Sequence, residues 1–499
     1  MKKNILFFSF CCVAVFSTIL FFSSCKKGLI GDLNSNQPPN THTIIDTIIR
    51  SGTNRFQSIV KIQWWGDDPD GYVAYYEYTF DKVISVNTAW HKVFGLDSTF
   101  TLITPAGVDT ADFSFNIRAV DNKGAVDPTP AHVGYPVRNT APTIVFSPGI
   151  YNPTYTFPVV RLYWQATDLD GADNLDHLEL IWNDTTLRPV KLDPSVVSAI
   201  FEATSLTNNI TTTRIYPNNN IAALDSVVSN FKLQNNNKLY IRAVDKSNTK
   251  SPWVASYSIY VRKPSSPILL IDAYTSPSTS AEIFYGQRMV NKGYSTFDTI
   301  KLFEKNGGQF TQLAADNATQ DKIFKLFSSI IWFGDNTNNS LFLAQKTTND
   351  FFANGGKMFM ANKLESLFDE NSPLLSLTPA QSLFLNKDTT LLLQVDSLAS
   401  STKSGFPTLK NTAYIPVIKP MQLLPGSVNL YSSHLSVKDN VNNPPPPYPL
   451  WTGTSSIIAE KLNSNNVPVM IYSEVELQSL NGNNNIDLMW AKILGELGL

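Results

Sequence analysis

The sequence predicts a multidomain chain: two all-β sandwiches of immunoglobulin-like pattern followed by an α/β doubly wound domain. Three observations carry this. An internal repeat with the two-residue period of strands fills residues 42–264, turn clusters of Gly, Asn, Asp and Pro separate its elements, and from residue 265 continuous apolar runs alternate with helical segments. A length of 499 residues suits about three domains of roughly 150 residues. With 43% hydrophobic and 16% charged residues, the composition is core-forming and not disordered. A net charge of −2 argues against nucleic acid as a partner, because phosphate binding needs a basic face.

The elements follow in order. Lys2-Lys3, an apolar run over residues 5–22 and then Ser23-Ser24-Cys25 form a charged start, a hydrophobic stretch and small residues before a cleavage point. FSSC resembles the lipobox of bacterial lipoproteins, with Phe22 in place of the usual Leu. The resemblance implies a signal peptide over 1–24, lipidation at Cys25 and attachment to the membrane by acyl chains. Cys11, Cys12 and Cys25 are the three cysteines, so the processed chain would hold no disulfide. No aspartate directly follows Cys25, and no acidic cluster lies near it. This implies an outer-membrane lipoprotein facing the periplasm rather than the cell surface. Residues 25–41, with Gly, Asn and Pro-Pro, are a tether.

The repeat begins next. WWGDDPDG (residues 64–71) recurs as WQATDLDG (164–171), and FNIRAVDNKG (115–124) recurs as LYIRAVDKSN (239–248). The offsets are 100 and 124, so the second copy carries extra residues between its markers, expected within 184–237. Val60, Ile62 and Trp64 fall on one strand face; Tyr72, Ala74, Tyr76 and Tyr78 share a face of the next strand. Asparagine runs at 218–220, 235–237 and 483–485 suit turns. The early Trp and the late Tyr-x-Arg-Ala-Val-Asp of residues 240–245 resemble fibronectin type III domains. This implies one sandwich at 42–140 and a second at 141–264.

From residue 265, PILLIDA has the unbroken apolar character of a strand buried on both faces. Expected next are a helix over 280–291, a strand near 296–302, a helix near 320–327 and the strand SIIWFGD at 329–335. A helix over 340–354 leads to GGKMFMAN; the region 370–455, including PPPPYP at 444–449, is expected to be irregular. Strand VPVMIYS at 467–473 and a helix over 486–497 complete an open doubly wound domain. IIWFGD, GGKMFM and PVMIYSE together resemble the class I glutamine amidotransferase-like (flavodoxin-like) fold across 265–499. That family places a nucleophilic Cys at the turn after the GGK strand, with a late His and Glu. Here the turn is Ala361-Asn362-Lys363, no Cys occurs in the domain, and its one His is His434. The resemblance therefore implies a non-catalytic scaffold, since a thiolate mechanism needs a thiol and an activating base. Ser366 and Ser473 lack a G-x-S-x-G setting.

Strand C-termini in such sheets converge on a crevice, which Asp272, Asp335, Asn336, Asn362 and Glu474 are expected to line as ligand-binding groups, unless they serve only to cap helices and loops. Asp67, Asp68, Asp70 and Asp168, Asp170, Asp173 alternate oxygen ligands before Gly, as calcium loops do. The distant Glu of an EF-hand is missing, and Asp-Gly is itself a turn signal. No cofactor is expected beyond structural calcium at Asp68, Asp70, Asp168 and Asp170. The five His show no zinc spacing. Trp64-Trp65 and Tyr75-Tyr76 offer stacking surfaces for sugars or belong to the sandwich cores. The sequence thus points to a lipid-anchored envelope protein, a pseudoenzyme in its last domain, binding a protein or glycan partner on a two-sandwich stalk. An envelope hydrolase with an atypical crevice site and a carbohydrate binder using sandwich aromatics are the alternatives.

Overall fold

The computed structural model describes residues 35–44, 59–147, 154–276, 279–303, 305–306, 309–310, 316–335, 337–362, 369, 371–384 and 388–499. The signal segment, Cys25, Asn336, Lys363 and Ser366 lie outside the described residues. The chain divides into two compact units. One holds residues 1–141 with 168–175 and 245–249; the other holds 142–167, 176–244 and 250–499.

The first unit contains a sandwich. Asn40–Thr43, Ile59–Asp67 and Asp97–Thr101 form one antiparallel sheet; His91–Val93, Val73–Thr79, Thr110–Asp121 and Ala131–Arg138 form the other. In strand letters these are A-B-E and C′-C-F-G, the fibronectin type III arrangement. Val60, Ile62 and Trp64 do point inward, against Tyr76, Phe115, Ile117 and Val133. The next strand departs from strict alternation. A bulge between Val73 and Tyr75 shifts its register, so Tyr76 is buried while Tyr72 and Ala74 are exposed.

The second copy repeats the plan, with most of its residues in the other unit. Thr143–Phe146, Val159–Thr167 and Ser198–Ala203 face Val190–Leu192, Leu175–Trp182, Leu239–Asp245 and Val254–Ala255. Its surplus lies where the offsets placed it: the hairpin Ile210–Pro217 and Val227–Lys232 extends the first sheet edge. Local details repeat as well. The indole Nε1 of Trp64 donates to Gly95 O at 3.0 Å, and that of Trp164 to Val196 O at 2.7 Å. Arg118 pairs with Glu77 and Arg242 with Glu179, each guanidinium lying over a ring, Trp90 or Trp253. Asn218 and Asn484 adopt positive φ as expected of turn asparagines. Asn235–Asn237 is instead a short strand, with Gln234 taking the left-handed position before it.

The C-terminal part is a mixed α/β domain with a parallel sheet at its centre. Five parallel strands run in the order Asp298–Lys301, Ile268–Asp272, Ser329–Gly334, Lys357–Asn362, Pro468–Ser473. Antiparallel strands Ser456–Leu462, Val428–Ser433, Leu398–Ser400 and Leu409–Lys410 continue the sheet. Residues of alternating parity serve its two faces. Leu270, Ile331, Phe333 and Phe359 pack under helices Thr279–Asn291 and Ile486–Glu496; Leu269, Ile271, Trp332 and Met358 pack under Asn317–Phe324 and Thr337–Thr347. Burial on both faces is what the unbroken apolar runs require.

Two expectations are corrected here. The helix over 340–354 is broken into Thr337–Thr347 and Asn349–Ala353, because the Thr347 and Thr348 hydroxyls donate back to Leu343 O and Ala344 O. The region 370–455 is not irregular. Besides its strands in the main sheet, Thr389–Leu393 pairs with Ile415–Ile418 and Ser436–Asp439, and Ala380–Leu383 with Met421–Leu423. Strands of two to six residues with polar interruptions leave too short a period to recognise in sequence.

Candidate functional site

The GGK corner forms as its residues dictate. Gly355, at φ +82°, ends the helix Asn349–Ala353 in the left-handed region. Gly356 sits so close to Phe351 that a Cβ there would overlap its ring. The strand Lys357–Asn362 then carries Asn362 to the C-terminal edge of the sheet. Its neighbour Pro468–Ser473 brings Glu474 to the same edge, since Ala361 pairs with Ser473.

The expected crevice residues divide into two groups. Asp272 accepts from Tyr274 N at 3.0 Å, and Asp335 accepts from Thr275 N and Oγ1 at 2.8 and 3.0 Å. Both fasten the loop that leaves the first parallel strand, which is capping work. Asn362 and Glu474 differ. Asn362 is fully buried and Glu474 is 2% exposed, and among the described residues neither the carboxamide atoms of the one nor the carboxylate oxygens of the other have a hydrogen-bond partner. Leaving such groups unpaired costs about 1–3 kcal/mol each. Burial alone pushes the Glu474 carboxyl well above the usual carboxylate range.

Glu474 lines a cavity of about 120 Å³ with Tyr414, Glu476 and Ser479. Beside it the Tyr274 hydroxyl donates to Glu476 Oε1 at 2.8 Å and accepts from Gln478 Nε2 at 3.3 Å. Burial first, then Glu476, holds the Tyr274 phenol far above its ordinary pKa. Sequence reasoning missed Tyr274, Tyr414, Gln478 and Ser479. Tyr414 and its neighbours come from the segment expected to be irregular, and nothing in their pattern marks them. Chemically the cavity wall offers the Glu474 and Glu476 carboxyls, the Tyr414 phenol and the Ser479 hydroxyl, all able to exchange hydrogen bonds with a ligand, while Asn362 is buried behind it. Ser473, fully buried, donates its hydroxyl to Val475 O at 2.7 Å, and His434 is exposed on the far antiparallel part of the domain.

Other expected sites resolve as follows. Trp64 and Tyr76 are core residues. Trp65 lies on one sheet of the first sandwich, stacked on His42 at 4.2 Å, while Tyr75 lies on the other sheet beneath the Lys92 ammonium. The two paired-aromatic motifs therefore build no common sugar platform. Asp67 contacts His42 at 3.1 Å. In the first sandwich Asp70 pairs with Lys123 Nζ at 2.9 Å, and Asp68 caps the Asp70 backbone N–H. A lysine thus already supplies positive charge beside the expected calcium residues Asp68 and Asp70. In the second sandwich Asp168 takes the Asp170 N–H and the Asn174 Nδ2 at 2.8 and 3.1 Å, and Asp173 is exposed.

No protein-family model and no curated protein matches the chain. Solved structures similar to it include the fibronectin(III)-like modules of Clostridium thermocellum CbhA, at 13% identity and a TM-score of 0.17 over 45% of this chain and 94% of that one. A two-domain fibronectin type III segment of chicken tenascin matches at 11% identity and a TM-score of 0.19, over 44% and 98%. The chitinase ChiA74 from Bacillus thuringiensis matches at 15% identity and 0.15, over 44% and 30%. The sandwich assignment stands on strand order and not on these scores.

Proposed function

We propose that this chain is a lipid-anchored envelope protein, attached to the outer membrane through Cys25, that binds a protein or glycan partner at the crevice of its α/β domain and performs no chemistry on it. The observation that carries the reading is the pair Asn362 and Glu474: adjacent buried groups with unused hydrogen-bonding capacity at the strand ends of a parallel sheet. The parallel strand order, with the second strand outside the first and the third inside it, supports an amidotransferase-like or flavodoxin-like origin for the domain. The Ala361-Asn362-Lys363 corner supports a scaffold from which the nucleophile is gone.

Burial that disfavours the charged form of Glu474 fits an uncharged, hydroxyl- or amide-bearing ligand. Cell-wall glycan and detergent-solubilised envelope proteins are the two pools to test against immobilised full chain. Glu474→Ala and Asn362→Ala should abolish capture of whichever pool binds, whereas Glu474→Gln, which mimics the protonated acid, should keep it. Unchanged capture by both alanine variants sinks the reading, and loss of turnover on an ester or amide substrate would favour an envelope hydrolase. Cys25→Ser should move the protein from the membrane pellet to the soluble fraction. The Glu474 carboxyl also sets a pH dependence. Its folded pKa is raised, so its contribution is fully present below the unfolded value near 4.5 and is lost as pH rises toward the folded value. Glu474→Gln should therefore raise the melting temperature more at alkaline than at acid pH.

A further inference from the structure

The cavity beside Glu474 is small and chemically mixed. At about 120 Å³ it lies well below the roughly 300–1,000 Å³ of sites that enclose a small molecule, so it takes one substituent and leaves the rest of the ligand outside. Glu474, Glu476 and Ser479 give its wall carboxyl and hydroxyl groups, while Ala413, Val417 and Val475 give it aliphatic surface. A substituent that matches carries a donor, an acceptor and a methyl-sized apolar end. An acetamido group has all three. A bare hydroxyl lacks the apolar end, and the primary amide of an Asn or Gln side chain puts further donors where the acetamido group has its methyl.

The mouth of the cavity is held in place as well. Tyr414 stands at the rim, 51% exposed. Its segment is tied to the wall that carries Glu476: Thr412 N and Oγ1 donate to Ser479 O at 2.7 and 3.0 Å, and Asn411 Nδ2 donates to Ala413 O. Glu476 in turn accepts from the Tyr274 hydroxyl at 2.8 Å. An exposed ring fixed beside a polar cavity is a surface for the apolar face of a pyranose. An extended peptide finds less there. Among the described residues Ile415–Ile418 is the outer strand of its three-stranded sheet, but Pro416 lies exposed on it and has no N–H to give to an added strand.

We propose that the crevice recognises an N-acetylated amino sugar, its acetamido group entering the cavity beside Glu474 and its ring lying on Tyr414. This rests on the partner-binding reading above and narrows the partner to a glycan. The amide N–H meets the carboxyl oxygens of Glu474 and Glu476, the carbonyl meets the Ser479 hydroxyl, and the methyl packs on Val475. Burial disfavours the charged form of Glu474, and a carboxyl that keeps its proton can also donate to the amide carbonyl. The Glu474 oxygens, without a hydrogen-bond partner among the described residues, gain one when the ligand binds.

Calorimetric titration of the detergent-solubilised full chain with three β-linked trisaccharides, of N-acetylglucosamine, glucosamine and glucose, tests this. The acetylated sugar should bind, and the other two at least about tenfold more weakly. Tyr414→Ala, at an exposed residue, should weaken the acetylated sugar by about fivefold, and Tyr414→Phe should keep it. Equal affinity for the three sugars, no binding of the acetylated one at millimolar concentration, or indifference to Tyr414→Ala would each overturn the proposal. If one of these results comes while Glu474→Ala still abolishes capture of envelope proteins, the partner is a protein and the crevice reading survives. If no capture depends on Glu474 either, both fall.

Discussion

Lys61 and Arg161 occupy equivalent places in the two repeats, and their surroundings show how the copies have diverged. Lys61 pairs with Asp97 at 3.1 Å with both side chains about half exposed. Arg161 pairs with Asp316 at 2.9 Å, with the side chains 7% and 15% exposed, and also reaches Asn219 Oδ1 at 2.7 Å. The second copy has become one wall of a larger core. Phe157, Val159, Ile200 and Tyr216 belong to a single apolar cluster with Leu269, Phe324 and Phe327 of the α/β domain, and the Phe157 and Phe327 rings meet edge to face at 5.2 Å. Tyr216 comes from the extra hairpin. Its hydroxyl donates to Glu202 at 2.6 Å, and Glu202 also holds Lys325 Nζ at 2.7 Å. A duplicated module has acquired a partner by changing one face while keeping its framework.

This contrast can be broken or sharpened by substitution. The largest effect is expected at Phe157→Ala, about 3–5 kcal/mol lost in denaturant unfolding, because a ring 1% exposed leaves a cavity in the shared core. A loss below about 1 kcal/mol would mean that the two parts do not depend on one another. Arg161→Ala should cost about 2 kcal/mol by removing the charged hydrogen bond to the part-buried Asp316, which keeps its bonds from Ala318 N and Thr319 Oγ1. Glu202→Gln tests the same seam by pH. Burial raises the Glu202 pKa, but the bonds from Lys325 and Tyr216 outweigh it and leave the carboxyl below its ordinary value of 4.5. With the folded pKa depressed, the stabilisation is fully present above the unfolded value and disappears as pH falls through the folded one. Wild type should therefore lead the Gln variant at neutral pH and lose that lead in acid, read as melting temperature against pH. The smallest effect belongs to Lys61→Ala, at most about 1 kcal/mol, since an exposed ion pair is screened by water.

What the sequence disclosed follows the physics of each part. The repeat was visible because Trp64, Trp164 and the two Arg-Ala-Val-Asp strands are fixed by both packing and pairing, and an offset of 124 against 100 located the added hairpin. The parallel strands were visible because burial on both faces leaves no polar residue to interrupt ILLID or IIWF. Half of the candidate site was legible: Asn362 and Glu474 stand at strand ends that topology makes adjacent. Tyr274, Tyr414 and Gln478 were not, because their meeting depends on a long excursion between neighbouring strands.

One feature of the main sheet bears on how the molecule is made. Pro468–Ser473 is the last of its strands in sequence, yet it lies between Lys357–Asn362 and Ser456–Leu462. Until it emerges from the ribosome, both flanking strands present raw hydrogen-bonding edges over apolar faces, the kind of surface on which nascent chains stick to one another. Synthesis rate and chaperone supply should thus govern yield more than the strength of any single contact, and a premature stop before residue 468 should deliver inclusion bodies instead of a shortened working protein.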